Sequence, residues 1–207
     1  MSALYDIKEM LPDVMSFAPY CNRPMAYRAI RETARQLCER VSVWRDNDSF
    51  TITEPLYEGL CTLPDAAIVK IERARLDGET LEPVILPWLD AHRPDWMNET
   101  GRPRYVTQIT PDTVTVSPRG SGFLELRLVL EPSLEAMTLP RVLMTNYRTE
   151  IARGAAGRIL TSPHSDIANP SLGISLLAEF HERLDTLSLK ALKTQLGAPL
   201  RTKPSYF

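Results

Sequence analysis

Between Phe123 and Glu131 the chain alternates leucine with charge. Leu124, Leu126, Leu128 and Leu130 fall on one side, Glu125 and Arg127 on the other. A repeat of two residues is that of a β-strand. Alternation this regular requires a sheet with one face on a core and the other in solvent. Burying four such leucines contributes about 1.5–3 kcal/mol each before chain entropy is subtracted. The rest of the chain must supply the other side of that core.

The surrounding zone, from about Arg45 to Pro132, has the same character of short strands separated by turns. Phe50 to Thr53 reads as a short strand. Ile68 to Leu76 reads as a longer one, followed by Asp77-Gly78, a strong hairpin-turn signal. Tyr105 to Ile109 and Thr113 to Val116 are further strands, and Pro118 to Gly122 is a turn. Pro87 to Asn98 reads as a turn of helix plus loop anchored by Trp88 and Trp96.

Helical periodicity brackets this zone. Ile7, Met10, Leu11, Val14 and Phe17 recur at helical spacing, with Pro12 expected to break or kink the run. Pro24 opens a stronger helix whose stripe is Tyr27, Ile30, Ala34, Leu37, Cys38, Val41 and Trp44. Beyond the sheet, Val142, Leu143, Tyr147, Ile151, Ala155 and Ile159 read as one stripe. It carries the small-residue run Gly154, Ala155, Ala156, Gly157. Each glycine costs about 1 kcal/mol of helix propensity relative to alanine, so the run implies that a neighbouring backbone approaches closely. The last helix starts with Asn169 as N-cap and Pro170 in the first turn. It carries Leu172, Leu176, Leu177, Phe180, Leu184, Leu187 and Ala191, pairs Glu179 with Arg183, and is expected to end at Gly197.

The order predicts an α+β fold: a bundle from the N- and C-terminal helices (1–45 and 136–196), a β-rich antiparallel insertion (46–135) projecting from it, and an extended tail (197–207). At 207 residues, 43% apolar and 24% charged, the chain has the profile of a soluble globular protein with one sizeable core. A net charge of −2 argues against a general nucleic-acid binder while leaving room for a local basic patch. Cys21, Cys38 and Cys61 are odd in number and lack paired spacing, which favours a reduced, intracellular setting. The N-terminus has neither the basic start nor the continuous apolar core of a signal peptide, and no stretch nears the ~20 apolar residues that span a bilayer.

Chemistry is hard to find. His92, His164 and His181 lie far apart, with no ligand-spaced pair for zinc. Gly120-Ser121-Gly122 precedes a strand rather than a helix, so it reads as a hairpin turn and not a phosphate loop. No serine sits in a G-x-S-x-G elbow, and no cysteine has an adjacent histidine. The acid pairs Glu72/Asp77 and Asp90/Asp95 read as ordinary surface carboxylates. Arg93 with Arg102-Pro103-Arg104-Tyr105 forms a small basic patch. Arg148, Arg153 and Arg158 read as a solvated helix face or as a contact for an acidic partner. No catalytic residue, cofactor or metal site is assigned.

Several segments together resemble the head-to-tail adaptor (connector) proteins of tailed bacteriophages. They are the helix from Pro24 ending RVSVW, the turn LDGETLEP, the loop PDWMNETGRPRYV, the leucine strand ending LEP, and the hairpin YRTEIARGAAGRIL followed by Asn169-Pro170. The resemblance covers most of the chain through its layout rather than through a diagnostic motif. It departs at Glu54 to Leu63, which is more apolar than a simple turn and suits a loop reaching a neighbouring subunit or the next tail protein. The resemblance implies a non-enzymatic virion protein, made in the host cytoplasm and placed at the head–tail interface. Its partners would be neighbouring copies in a ring (a dodecamer), the portal protein, and a downstream tail or stopper protein. The genome DNA would pass through without specific binding, and no membrane is involved. The C-terminal tail would dock on the portal through Leu200, Arg201, Lys203, Tyr206 and Phe207. Two alternatives remain open: a tail-completion or baseplate connector of related fold, and a hydrolase with an unrecognised pocket.

Overall fold

The computed structural model describes residues 3–53, 60–61, 63–163 and 167–195, with side chains at all of these except 60, 61 and 192–195. The fold is mixed α+β. The chain divides into two compact units. One takes the chain up to Glu9 plus Val43–Tyr147, the other Met10–Ser42 plus the chain from Arg148 onward.

The first unit holds the strands β1 (Leu4–Asp6), β2 (Trp44–Ile52), β3 (Leu60–Cys61), β4 (Ala66–Leu76), β5 (Glu79–Pro83), β6 (Tyr105–Thr110), β7 (Thr113–Ser117), β8 (Gly122–Pro132) and β9 (Thr138–Pro140). The main sheet runs β2-β8-β4-β5-β6-β7-β3. Every strand pair is antiparallel except β5 with β6. The leucine strand β8 lies between β2 and β4, and its four leucines are at most 2% exposed. Asp77 and Gly78 take positive φ and close the β4–β5 hairpin, as a two-residue turn with right-handed strand twist demands. The sheet curls: the Ile68 amide donates to the Pro111 carbonyl at the β6–β7 turn (2.6 Å).

Three sequence expectations change here. Pro118 to Gly122 does not close a hairpin, because β7 and β8 are not neighbours; it carries the chain across the sheet. The first edge strand starts six residues earlier than Phe50, since Trp44 opens β2 instead of ending a helix. Leucine alternation on β8 supplies the apolar face, so a strand as polar as Arg45–Ser49 is still carried in register. Among the described residues β2 pairs only with β8. The Asn47 and Ser49 amides donate instead to the side chains of Asp46 and Asp48 (both 2.9 Å), which blunts the free edge against strand addition. Thirdly, both faces of β7 are buried, Val114 and Val116 on one side, Thr113, Thr115 and Ser117 on the other.

A small sheet of β1 with β9 completes the unit. Asp65, at φ 59°, bonds it in place: its Oδ2 accepts from the amides of Met137 (3.2 Å) and Thr138 (3.0 Å) and from the Thr138 hydroxyl (2.7 Å).

The second unit is helical: α1 (Leu11–Phe17), α2 (Arg23–Val41), α5 (Arg148–Thr161) and α6 (Pro170–Gln195), with α3 (Leu86–His92) and α4 (Arg141–Asn146) belonging to the first. The run from Ile7 to Phe17 does break ahead of Pro12, into a 3-10 turn (Ile7–Met10) and α1, and Pro12 sits in the first turn of α1, where its missing N–H is harmless. The Asn22 side chain caps α2 by accepting from the Met25 amide (2.9 Å), and Ser42 ends it in a left-handed conformation. The single stripe from Val142 to Ile159 is two helices, because Tyr147 leaves helical geometry between α4 and α5. Gly197, the expected stop of α6, lies outside the described residues.

Candidate functional site

The portal-docking residues expected from the resemblance, Leu200, Arg201, Lys203, Tyr206 and Phe207, lie outside the described residues. So do most of the Glu54–Leu63 loop and His164. The described surfaces with functional promise are the α5–α6 hairpin, a polar cleft at one end of the sheet, and an aromatic–basic cluster near α3.

The hairpin explains the small-residue run. Ile151, Ala152, Gly154, Ala155, Ala156, Gly157, Ile159 and Leu160 are all buried, so α5 is covered almost all round, by α1, α2 and α6. Its thinness makes this feasible. A Cβ on Gly157 would stand 3.0 Å from the Gly173 carbonyl oxygen, and one on Gly173 would stand 3.0 Å from that of Gly157. The close backbone approach anticipated from the run is therefore present. A Cβ on Gly154 would meet side chains instead, Thr33 of α2 at 2.6 Å and Phe180 of α6 at 3.0 Å.

Arg148, Arg153 and Arg158 are engaged within the helical unit, although Arg153 stays exposed. Each ties α5 to a different neighbour: Arg148 to Asp13 of α1 (2.7 Å), Arg153 to Glu179 of α6 (3.3 Å), and Arg158 to Gln36 of α2 (2.6 Å). The expected Glu179–Arg183 pair along α6 is likewise replaced by bonds across the hairpin, with Arg183 on Glu150 (3.1 Å). Opposite charge on an adjoining helix competes for the same side chains that i, i+4 spacing brings together. Leu172, placed in the apolar stripe of α6 by spacing, is 40% exposed; Leu176, Phe180 and Leu184 carry the buried face.

The polar cleft of about 480 Å³ is lined by Asp77, Glu79, Thr100, Arg102, Arg119 and Ser121 among others. Its charged groups are engaged structurally. Asp77 Oδ1 accepts from the Phe123 amide (2.8 Å), and Glu79 pairs with Arg102. Neither histidine nor cysteine lines it, so Ser121 has no imidazole there to activate it.

In the third region Trp88 stacks on His92 (centroids 4.5 Å apart) and tilts against Tyr105 (5.2 Å), with the Arg93 guanidinium over the Tyr105 ring. Arg93 also pairs with Glu99 (2.6 Å), and the His92 Nδ1 bonds the Trp88 carbonyl (2.9 Å). These contacts hold α3 and the loop after it, with the Trp96 indole donating to Asp90 (2.9 Å). The four acids of the two sequence pairs have structural partners: Glu72 holds Arg45 and Arg127, Asp77 the start of β8, Asp90 an indole and Asp95 the Asn98 side-chain amide.

No protein-family model matches this chain, and no curated protein matches it. Among the described residues no group of three or more His, Cys, Asp or Glu could hold a metal ion, and no helix is long and apolar enough to cross a membrane. Cys21 and Cys38 are buried thiols, and burial raises the pKa of Cys21, which keeps it protonated.

Proposed function

We propose that the protein is a structural ring subunit, a head-to-tail adaptor of a tailed bacteriophage without enzymatic activity. In this reading the helical unit, drawn from both ends of the chain, is the body of the subunit, and the β-rich stretch between them is its insertion. The observation that carries the reading is the interlocked α5–α6 hairpin, where Gly157 and Gly173 meet backbone to backbone. It lies in the segment with the strongest resemblance to those proteins. Internal engagement of all three α5 arginines supports it further, since a subunit that must hold its shape under assembly load gains from cross-helix ties.

The subunit would form a ring, a dodecamer, beneath the portal of the capsid at the head–tail interface. It would offer a second face to the downstream tail or stopper protein, while genome DNA passes through. Two different faces in contact with copies and partners are what a heterologous, closed assembly requires. The tail carrying Leu200, Arg201, Lys203, Tyr206 and Phe207 would dock against the portal. Deleting residues 197–207 tests this: the variant is expected to melt like the parent and to lose portal attachment in a pull-down. Full attachment of the truncated protein would remove the tail from the reading.

A further inference from the structure

The outward face of the main sheet carries an arrangement that secondary structure and core packing do not call for. The β4–β8 register sets Arg73 directly opposite Arg127, and Arg75 lies two residues further along the same face. Like charges directly opposite each other across a strand pair destabilise a sheet. Glu72 offsets them in part; it contacts Arg127 at 3.3 Å but is shared with Arg45 at 2.9 Å. Glu125 stands opposite Arg75, yet the Arg75 Nε is buried with no hydrogen-bond partner among the described residues. These groups line a shallow trough of about 480 Å³, floored by the sheet and edged by Asn47, Asp48 and Ser49 of β2, so that two carboxylates, Asp48 and Glu125, stand among the three arginines. Phe123, on the same face of β8, is 46% exposed beside them.

We propose that this face binds the phosphodiester backbone of a nucleic acid, without reading sequence. Planar guanidiniums recognise phosphate in bidentate fashion. Two residues along a strand separate Arg73 from Arg75 by roughly 7 Å, a regular array for successive phosphates. An exposed aromatic beside the arginines adds a stacking surface for an unpaired base. The retained like-charge pair is the decisive feature, because a polyanion laid across it converts repulsion into binding. This inference goes beyond the ring-subunit reading and does not rest on it.

The test measures fluorescence anisotropy of the full-length protein with a labelled DNA duplex and a labelled single strand, from about 50 to about 200 mM salt. Three phosphate contacts give a duplex slope of roughly −2.7 in log K against log salt, so affinity falls roughly 40-fold over that range. Arg73→Gln with Arg75→Gln is expected to reduce the slope by about 1.8. The thermal midpoint of Arg73→Gln alone is expected to stay at or above that of the parent, since it relieves the charge opposed to Arg127. Arg104→Gln, at an exposed arginine just before β6, is expected to change the slope by less than about half as much as either single substitution. Stronger binding of the single strand than of the duplex assigns Phe123 a stacking role and is lost in Phe123→Ala. Absence of binding to both nucleic acids at the lowest salt overturns the proposal. So does binding that the double substitution leaves unchanged, or capture of polyglutamate without capture of nucleic acid, which would assign the face to an acidic protein.

Discussion

Replacing Gly173 by alanine sets two physical effects of opposite sign against each other. Helix propensity alone favours the change by about 1 kcal/mol, because glycine in a helix interior leaves more backbone freedom to lose. The close approach of α5 and α6 opposes it. The new Cβ would stand 2.7 Å from Thr161 Cγ2 and 3.0 Å from both the Thr161 nitrogen and the Gly157 carbonyl oxygen, against an ordinary contact of about 3.5–4.0 Å. Two of those three atoms are backbone. The third belongs to a side chain anchored through its hydroxyl to the Gly157 carbonyl (2.9 Å). The helices must therefore separate, which loosens Leu177 and Phe180 at the same seam. Overpacking of this kind costs about 1–3 kcal/mol, and with backbone atoms in the clash the upper half of that range applies. The net expectation is a loss of about 1–2 kcal/mol, a fall in thermal midpoint of roughly 2–8 °C for a chain of this length. A calorimetric melt decides it, with Ser175→Ala on the exposed side of α6 as the control expected to move by less than about 0.5 kcal/mol. A midpoint that rises by the roughly 2–4 °C that propensity alone predicts would refute the close-packed hairpin.

Other substitutions probe separate parts of the account. Leu126→Asp places a charge on the buried face of β8, where Leu126 is 2% exposed, and is expected to abolish cooperative folding by circular dichroism; a normal melt would overturn the strand register. Asp65→Ala removes the acceptor of three hydrogen bonds to Met137 and Thr138, with an expected loss of about 1–3 kcal/mol in urea unfolding; an unchanged midpoint would mean that the β1–β9 sheet is held by other contacts. Asp48 has its carboxyl raised above its ordinary 3.8, chiefly by burial and further by Asp46, against the lowering effect of the Ser49 amide. A carboxyl raised in the folded state contributes stability that is complete below 3.8 and lost as pH rises through the raised value. Asp48→Asn, which keeps an acceptor for Ser49, should therefore melt above the parent at pH ~7 and lose that advantage near pH ~3; the reverse pH trend would contradict the sign.

The elements most legible from the sequence were those where one local signal had no competitor. Alternation in β8 could mean only a half-buried strand, and Asp77-Gly78 could close only a tight turn between the strands it joins. Pro24, and Asn169 with Pro170, marked helix starts because first-turn signals act within three residues, and the Asn169 cap is made to the Leu172 amide. Elsewhere, distant parts of the chain decided between local options. The β2 residues Arg45 to Ser49 carry no apolar alternation, and only pairing with β8 draws them into the sheet. Spacing alone could not show that Tyr147 interrupts a continuous apolar stripe, nor that Glu179 and Arg183 turn to α5 rather than to each other. The run from Gly154 to Gly157 did signal close approach, though not that Gly173, sixteen residues on, is the other half of the contact. The basic face was the least visible feature. Arg73 and Arg127 are unremarkable in sequence and become opposed only through a register shifted at Glu72. The tail residues assigned to portal docking rest on the resemblance alone.

The central claim, a ring-forming subunit at a portal, is tested most directly by imaging. The tagged full-length protein would be recovered from the cells that naturally make it and examined by single-particle electron microscopy. The account predicts rings stacked on a portal-like cone, with the ring symmetry visible in end views. Compact single subunits with no companion protein at any concentration would contradict it.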